Sequence, residues 1–319
     1  MLQSPRNHRN PACRRDRANS LHVVLNRWRM RNDFAPDLRR LALIAPAQIV
    51  SRRTLPVVRR LSRVRNGRTP VTTVTTPSGV EVRVFRPAHS SGRLPGLLWI
   101  HGGGYVMGSA AQDDRWARAM SERVGIEVVS VDYRLAPEHP YPAAIEDCLD
   151  ALRWMIDQPD IDATRIAIGG NSAGGGLAAA LAFRARDEGV ELRLQLLTYP
   201  MLDDRTRKPD PRHRLWNASA NVFGWSSYLG GADTGEAVPA RRTDLAGLPP
   251  AWIGVGTLDL FSTEDRGYAD RLRTAGVECQ VDEVCGAFHG FDIVAPRTSI
   301  AQDFFARQCD AVRRALAHD

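Results

Sequence analysis

From Val71 onward the chain alternates short β-branched or apolar runs with longer amphipathic ones, and this alternation restricts its fold more than any other feature. VTTVTT and VEVRVF are two period-2 runs around Pro77-Ser78-Gly79, the pattern of a β-hairpin. Strands are then expected at Leu97 to Ile100, Ile126 to Tyr133, Arg165 to Gly169, Leu192 to Tyr199, Ala251 to Gly256 and Glu278 to Val284. Between and after them, helices are expected at Gln112 to Val124, Pro142 to Gln158 with Pro in its first turn, Ser172 to Gly189, Thr263 to Ala275 and Ala301 to Ala317. Strands separated by helices pair in parallel, with the helices covering both faces. The fold class is therefore α/β: a mostly parallel central sheet, an antiparallel hairpin at one edge and helices on both sides.

Two stretches stand outside the alternation. Residues 1–20 have almost no apolar content and read as a disordered extension, with Met30 an alternative start. From residue 21 to 65, apolar side chains recur among arginines, which suggests short amphipathic helices broken at Pro36, Pro46 and Pro56. Residues 201–239 are rich in aromatics, including Trp216, Phe223, Trp225 and Tyr228. Elements from 21–70 and from about 201–239 are expected to pack together as a helical cap on a single domain spanning 21–319.

Charge is lopsided. Residues 1–68 carry 17 arginines against three acids, whereas the rest carries 26 basic and 33 acidic residues. The basic segment lacks aromatic interleaving and matches no nucleic-acid motif, so no nucleic-acid partner is expected, while its arginines offer a weak contact with an anionic membrane surface. The apolar run Leu41 to Val50 contains Pro46 and is too short for a membrane span. Cys13, Cys148, Cys279, Cys285 and Cys309 are odd in number and scattered, which points to neither a disulfide framework nor a thiolate metal site. A protein that is cytoplasmic or peripheral to a membrane, with no metal and no cofactor, is expected. The oligomeric state is left open between monomer and dimer.

Gly170-Asn171-Ser172-Ala173-Gly174 sits between the strand RIAIG and the helix LAAALAF. The G-x-S-x-G pattern occurs by chance in about one chain in ten of this length. Its position suits a sharp strand-to-helix elbow that projects Ser172, and an idle helix-capping serine is the competing reading. His101-Gly102-Gly103-Gly104 follows the strand LLWI, where successive glycines can aim amide N–H groups at one point, as an oxyanion requires. Among the eight histidines, His289 falls in the loop after CQVDEV, at the sheet edge where ligands bind in α/β proteins. Asp259 ends WIGVGTLD at the same edge. It could cap the next helix, but Ser262 with Asp265 already supplies a capping box there. The order Ser172, Asp259, His289 is that of α/β-hydrolases.

HGGGY, VDYRLAPEHP at 131–140, GNSAGG at 170–175, Tyr199-Pro200, GLPP at 247–250 and His289-Gly290-Phe291 occur in the order that marks the hormone-sensitive-lipase-like family, the bacterial family IV esterases, which this sequence resembles from about residue 70 to its end. Two positions depart from that pattern: Asn171 replaces the usual Asp, and Asp259-Leu260-Phe261-Ser262-Thr263-Glu264 replaces D-P-L-x-D-E. The resemblance implies an α/β-hydrolase fold and a serine carboxylic-ester hydrolase acting on small short-to-medium-chain acyl esters. Ser172 would be the nucleophile, His289 the base and Asp259 the acid, with N–H groups of Gly102, Gly103, Gly104 and Ala173 as oxyanion donors. Tyr105, Asn171 and Trp216 would line the substrate pocket, His101 would brace the HGGG loop, and Arg134 and His139 would be structural. An amidase, a thioesterase, an acyltransferase or a non-catalytic ligand receptor on the same scaffold remain alternatives.

Overall fold

The computed structural model of the chain describes residues 30–65 and 71–317. The expectations for residues 1–20, 21–29 and 66–70 lie outside the described residues. The strands are β1 (Thr72–Thr75), β2 (Glu81–Phe85), β3 (Leu94–Ile100), β4 (Glu127–Asp132), β5 (Ile161–Asn171), β6 (Leu194–Thr198), β7 (Ala251–Gly256) and β8 (Cys279–Val284). They form one eight-stranded sheet in the order β1-β2-β4-β3-β5-β6-β7-β8. The β1/β2 hairpin is antiparallel and joins antiparallel to β4, while every other pairing is parallel. The expected sheet and its antiparallel edge are both present.

The principal helices are α1 (Arg39–Ile44), α2 (Leu55–Arg65), α3 (Asp114–Val124), α4 (Ala143–Ile156), α5 (Ala173–Asp187), α6 (Ala218–Leu229), α7 (Thr234–Ala237), α8 (Ser262–Thr274), α9 (Phe291–Val294) and α10 (Ser299–Ala315). Strand alternation sorts the core into two layers. Leu98, Ile100, Ile168 and Leu197 face α4 and α5 in one layer. Leu97, Trp99, Ala167 and Leu196 face α3 and α10 in the other.

Two proline readings are corrected. Pro142 is the residue before α4 rather than part of its first turn. Pro56 lies inside the first turn of α2 and does not break it, because the N–H that proline lacks has no helical acceptor there. Pro36 begins a short 3-10 turn, Pro36–Leu38, and α1 ends before Pro46, as expected.

The segment before β1 packs on the domain through specific bonds. Leu38, Ala42, Val50 and Leu55 are buried. The Ala35 N–H donates to Gly286 O (3.0 Å), and the Leu215 N–H donates to Pro46 O (2.7 Å). Arg214 is buried, donates from Nε to Ala42 O (2.6 Å) and lies over the Phe34 ring at 5.1 Å. Arg59 on α2 grips both Glu138 oxygens and donates to the carbonyls of Val106 and Ala136. No described helix is long and apolar enough to cross a membrane.

Leu38 has no exposed surface. Leu38→Ala is therefore expected to lower the unfolding free energy by about 2–5 kcal/mol in urea titration. A loss below about 0.5 kcal/mol, the range of a surface substitution, would mean that this segment is not docked in solution.

Candidate active site

Ser172 joins β5 to α5 with φ 54° and ψ −120°, a left-handed backbone that a non-glycine residue adopts at a cost of about 1–3 kcal/mol. The surroundings hold it there. Its N–H donates to Thr198 O (2.9 Å) and its carbonyl accepts from Gly176 N (3.0 Å) and Met201 N (2.9 Å). A side chain at Gly174 would overlap the backbone oxygens of Ile100 and His101, so the first turn of α5 comes this close to β3 only with glycine. The elbow leaves Ser172 only 6% exposed.

His289 follows β8 on a loop and is 7% exposed. Its Nε2 lies 2.9 Å from Ser172 Oγ and its Nδ1 2.8 Å from Asp259 Oδ2. A carboxylate only accepts, so Nδ1 carries the proton and Nε2 offers its lone pair to the serine hydroxyl. The other Asp259 oxygen accepts from the Phe261 N–H (3.0 Å). The expected Ser262/Asp265 capping box is absent: α8 begins at Ser262 without a side-chain cap, and Asp265 is buried with neither oxygen hydrogen-bonded among the described residues. Tyr199, Phe261 and Trp216 surround the His289 ring, with centroids at 4.9, 5.1 and 6.4 Å. Phe34 packs edge-on against Phe288 at 6.1 Å, which ties the first described residues to the histidine loop.

The HGGG loop approaches Ser172 from β3. The N–H groups of Gly102, Gly103, Gly104 and Ala173 donate no hydrogen bond among the described residues. Side chains are excluded at all three glycines. A Cβ at Gly102 would meet Asn171, one at Gly103 the Met107 carbonyl, and one at Gly104 the Trp216 ring. His101 is fully buried, donates from Nδ1 to Gly102 O (2.8 Å) and stacks on Tyr133 at 4.2 Å. Burial lowers its pKa, which keeps this ring neutral. Gln112 also donates to Gly102 O (3.2 Å). Arg134 is in a bidentate bond with Asp147.

All three expected pocket residues have structural partners, Trp216 donating from Nε1 to Asn221 Oδ1 (3.3 Å). Tyr105 is buried, stacks on Tyr228 at 4.1 Å and donates its hydroxyl to Met201 O (3.1 Å), so it pins the HGGG loop to the segment that carries α6. Asn171 donates from Nδ2 to Asp113 Oδ2 (3.2 Å), which also accepts from Trp99 Nε1 (2.8 Å). Trp216 also lies against Gly104 and the His289 ring. The sequence reading missed Asp113, whose partner is 58 positions away, so no local pattern signals the pair.

Glu264 binds the N–H groups of Leu202 (2.7 Å) and Asp203 (3.2 Å) through Oε1, and it buttresses the chain just after β6. Burial, with the Asp203 carboxylate nearby, pushes its carboxyl up to about 8. A carboxyl raised on folding stabilises fully below its unfolded value, near 4.5, and that contribution is lost as pH rises through about 8. Glu264→Gln keeps the Oε1 acceptor and removes the titration. Denaturant unfolding at about pH 5 and about pH 8.5 is therefore expected to show a smaller alkaline loss of stability in the variant than in the parent. Equal losses would show that Glu264 does not titrate in this range.

The comparisons agree with this geometry. A family profile described as alpha/beta hydrolase fold matches residues 97–293. Carboxylesterase NlhH of Mycobacterium tuberculosis is 36% identical over 74% of this chain and 79% of its own length. Among solved structures, a bacterial heroin esterase superposes with a TM-score of 0.82 at 32% identity, covering 90% of this chain and 99% of that one. Esterase LipW of Mycobacterium marinum superposes with a TM-score of 0.83 at 34% identity, covering 90% of this chain and 98% of that one. On sequence, fold and the arrangement around Ser172 together, the chain belongs to the α/β-hydrolase family, in its hormone-sensitive-lipase-like branch.

Proposed function

We propose that the protein is a carboxylic-ester hydrolase with Ser172 as its nucleophile. What supports this reading above all is the continuous hydrogen-bonded chain from Asp259 through His289 to Ser172 Oγ. Ser172 Oγ attacks the ester carbonyl carbon as His289 Nε2 takes its proton. Asp259 holds the imidazole in the Nδ1–H tautomer and stabilises the imidazolium. The carbonyl oxygen, now negative, is met by the free N–H groups of Gly102, Gly103 and Ala173, with Gly104 beside them. His289 then protonates the leaving alcohol, the acyl group stays on Ser172, and water repeats the sequence to release the acid. The esterase names of NlhH and LipW favour an ester over an amide or thioester substrate.

The substrate class is a short-to-medium acyl ester. Trp216 closes against Gly104 and beside His289, and both Ser172 and His289 are nearly enclosed, which favours a bounded pocket over a lipid interface. Elements from 21–70 and 201–239 act as its cap; the bonds from Ala35, Ala42 and Pro46 to the loops at 286 and 214–215 support this. The exposed Ile44, Val57 and Leu61 among arginines favour a weak secondary contact with anionic membranes. Free thiols at Cys148, Cys279, Cys285 and Cys309 are compatible with a reducing, cytoplasmic setting.

The test is hydrolysis of p-nitrophenyl esters from acetyl to palmitoyl. Ser172→Ala and His289→Ala are expected to lose about 10^6-fold in kcat and Asp259→Asn about 10^4-fold, all with native circular dichroism. Substantial turnover by Ser172→Ala would overturn the assignment. Activity should peak below about ten acyl carbons, because each methylene contributes about 0.8 kcal/mol only while the pocket can bury it. An optimum at palmitoyl with activation by emulsions would instead indicate a lipase. Deleting residues 1–65 should depress turnover of soluble esters and expose apolar surface, whereas full activity and monodispersity would refute the cap.

A further inference from the structure

A second cavity of about 500 Å³ opens between α3 and α10, at the carboxyl ends of β5 and β6, and none of Ser172, Asp259 and His289 lines it. Its volume is that of a small-molecule pocket. Its lining is divided by chemistry. Asp113, Asn171, Thr198 and Asp292 supply polar groups, whereas Trp116 and Phe305, edge-to-face at 6.2 Å, supply aromatic surface.

The polar groups are only partly partnered. Thr198 is 1% exposed, on the same face of β6 as Leu194 and Leu196, and its Oγ1 makes no hydrogen bond among the described residues. Asn171 is 5% exposed and its Oδ1 is likewise unpaired. Asp113 is 6% exposed and spends one oxygen on Trp99 and Asn171, while Asp292 accepts from the Tyr199 hydroxyl (2.9 Å). Neither carboxylate is in an ion pair among the described residues. Burial pushes Asp113 up to about 7 against its bonds from Trp99 and Asn171, and it raises Asp292 against the Tyr199 bond and the nearby His289. Acceptors therefore predominate among the buried polar groups of the lining, and the lining arginines, Arg115 and Arg123, are solvent-exposed.

We propose that this cavity is a second ligand site, separate from the Ser172 site, that takes a small organic ammonium ion with an aromatic or apolar body. The ammonium group carries three N–H donors for Asp113, Asp292 and Thr198, and its single positive charge balances one carboxylate while the other carboxyl stays protonated. The body lies on Trp116 and Phe305, where a cation near an aromatic face gains further attraction. A carboxylate ligand would bring a like charge and further lone pairs to these acceptors, and a neutral alcohol would supply one O–H donor and no counter-charge.

The experiment is isothermal titration of the full chain with benzylammonium, benzyl alcohol and benzoate. It reads binding alone, so its outcome is independent of whether the protein hydrolyses esters. Benzylammonium is expected to bind at least tenfold more tightly than benzyl alcohol, with no measurable benzoate binding. Ala119→Trp, at an exposed position of α3 that lines the cavity, and Asp292→Asn, which keeps an acceptor for Tyr199, should each weaken benzylammonium at least tenfold. Equal affinity for the three probes, absence of benzylammonium binding at millimolar concentration, or binding unchanged in both variants would overturn the proposal.

Discussion

The first turn of α5 lies so close to the end of β3 that a Cβ at Gly174 would overlap the carbonyl oxygens of Ile100 and His101. This approach packs the start of α5 against the end of β3, and the left-handed turn at Ser172 joins it to β5 with the Ser172 Cβ close to Gly102. The glycine at 174 is needed for this contact rather than for its backbone angle, whereas Gly103 and Gly104 combine positive φ with tight packing.

The rest of the molecule braces that arrangement from several directions. His101, Gln112 and Tyr133 hold the HGGG loop from beneath, and Tyr105 ties it to the segment after β6. Glu264 fixes that segment, and Phe261 contributes both a backbone N–H to Asp259 and a ring to His289. Residues 34–46, far from these in sequence, reach the loops that carry His289 and Trp216 through backbone hydrogen bonds and the buried Arg214. The hydrogen-bonded groups of Ser172, His289 and Asp259 thus sit on loops, but each loop is anchored to a strand end or to an aromatic contact, which is what keeps hydrogen bonds near 2.8 Å in register.

On the α3 and α10 face the same strand ends carry a different chemistry. Strand alternation turns Asn171 and Thr198 away from the α4 and α5 layer and toward Asp113 and Asp292. Buried acceptors gather there with few donors, in contrast to the donor-rich loop around Ser172. The two polar regions share Asn171, next to Ser172 in sequence, yet they call for ligands of opposite character.

The parallel sheet, its hairpin edge and the candidate residues at the ends of β3, β5, β7 and β8 were legible in the sequence, because side-chain periodicity and glycine-rich strand ends are local properties. Ser172, Asp259 and His289 could be placed at one edge of the sheet from strand order alone. That they lie within hydrogen-bond distance of one another could not, since it depends on loop paths. Local reading failed where a partner is remote: Ser262 and Asp265 have the spacing of a capping box, yet burial leaves Asp265 unbonded while Asp259 receives the Phe261 N–H. Tyr105 and Asn171 adjoin the motif residues in sequence, but packing against Tyr228 and Asp113 turned their side chains to structural partners. Sequence determines which elements form and which residues end them, because the backbone and side-chain period are fixed within a few positions. Tertiary structure decides which of those ends meet, because contacts across 58 to 117 positions are set by how the layers pack.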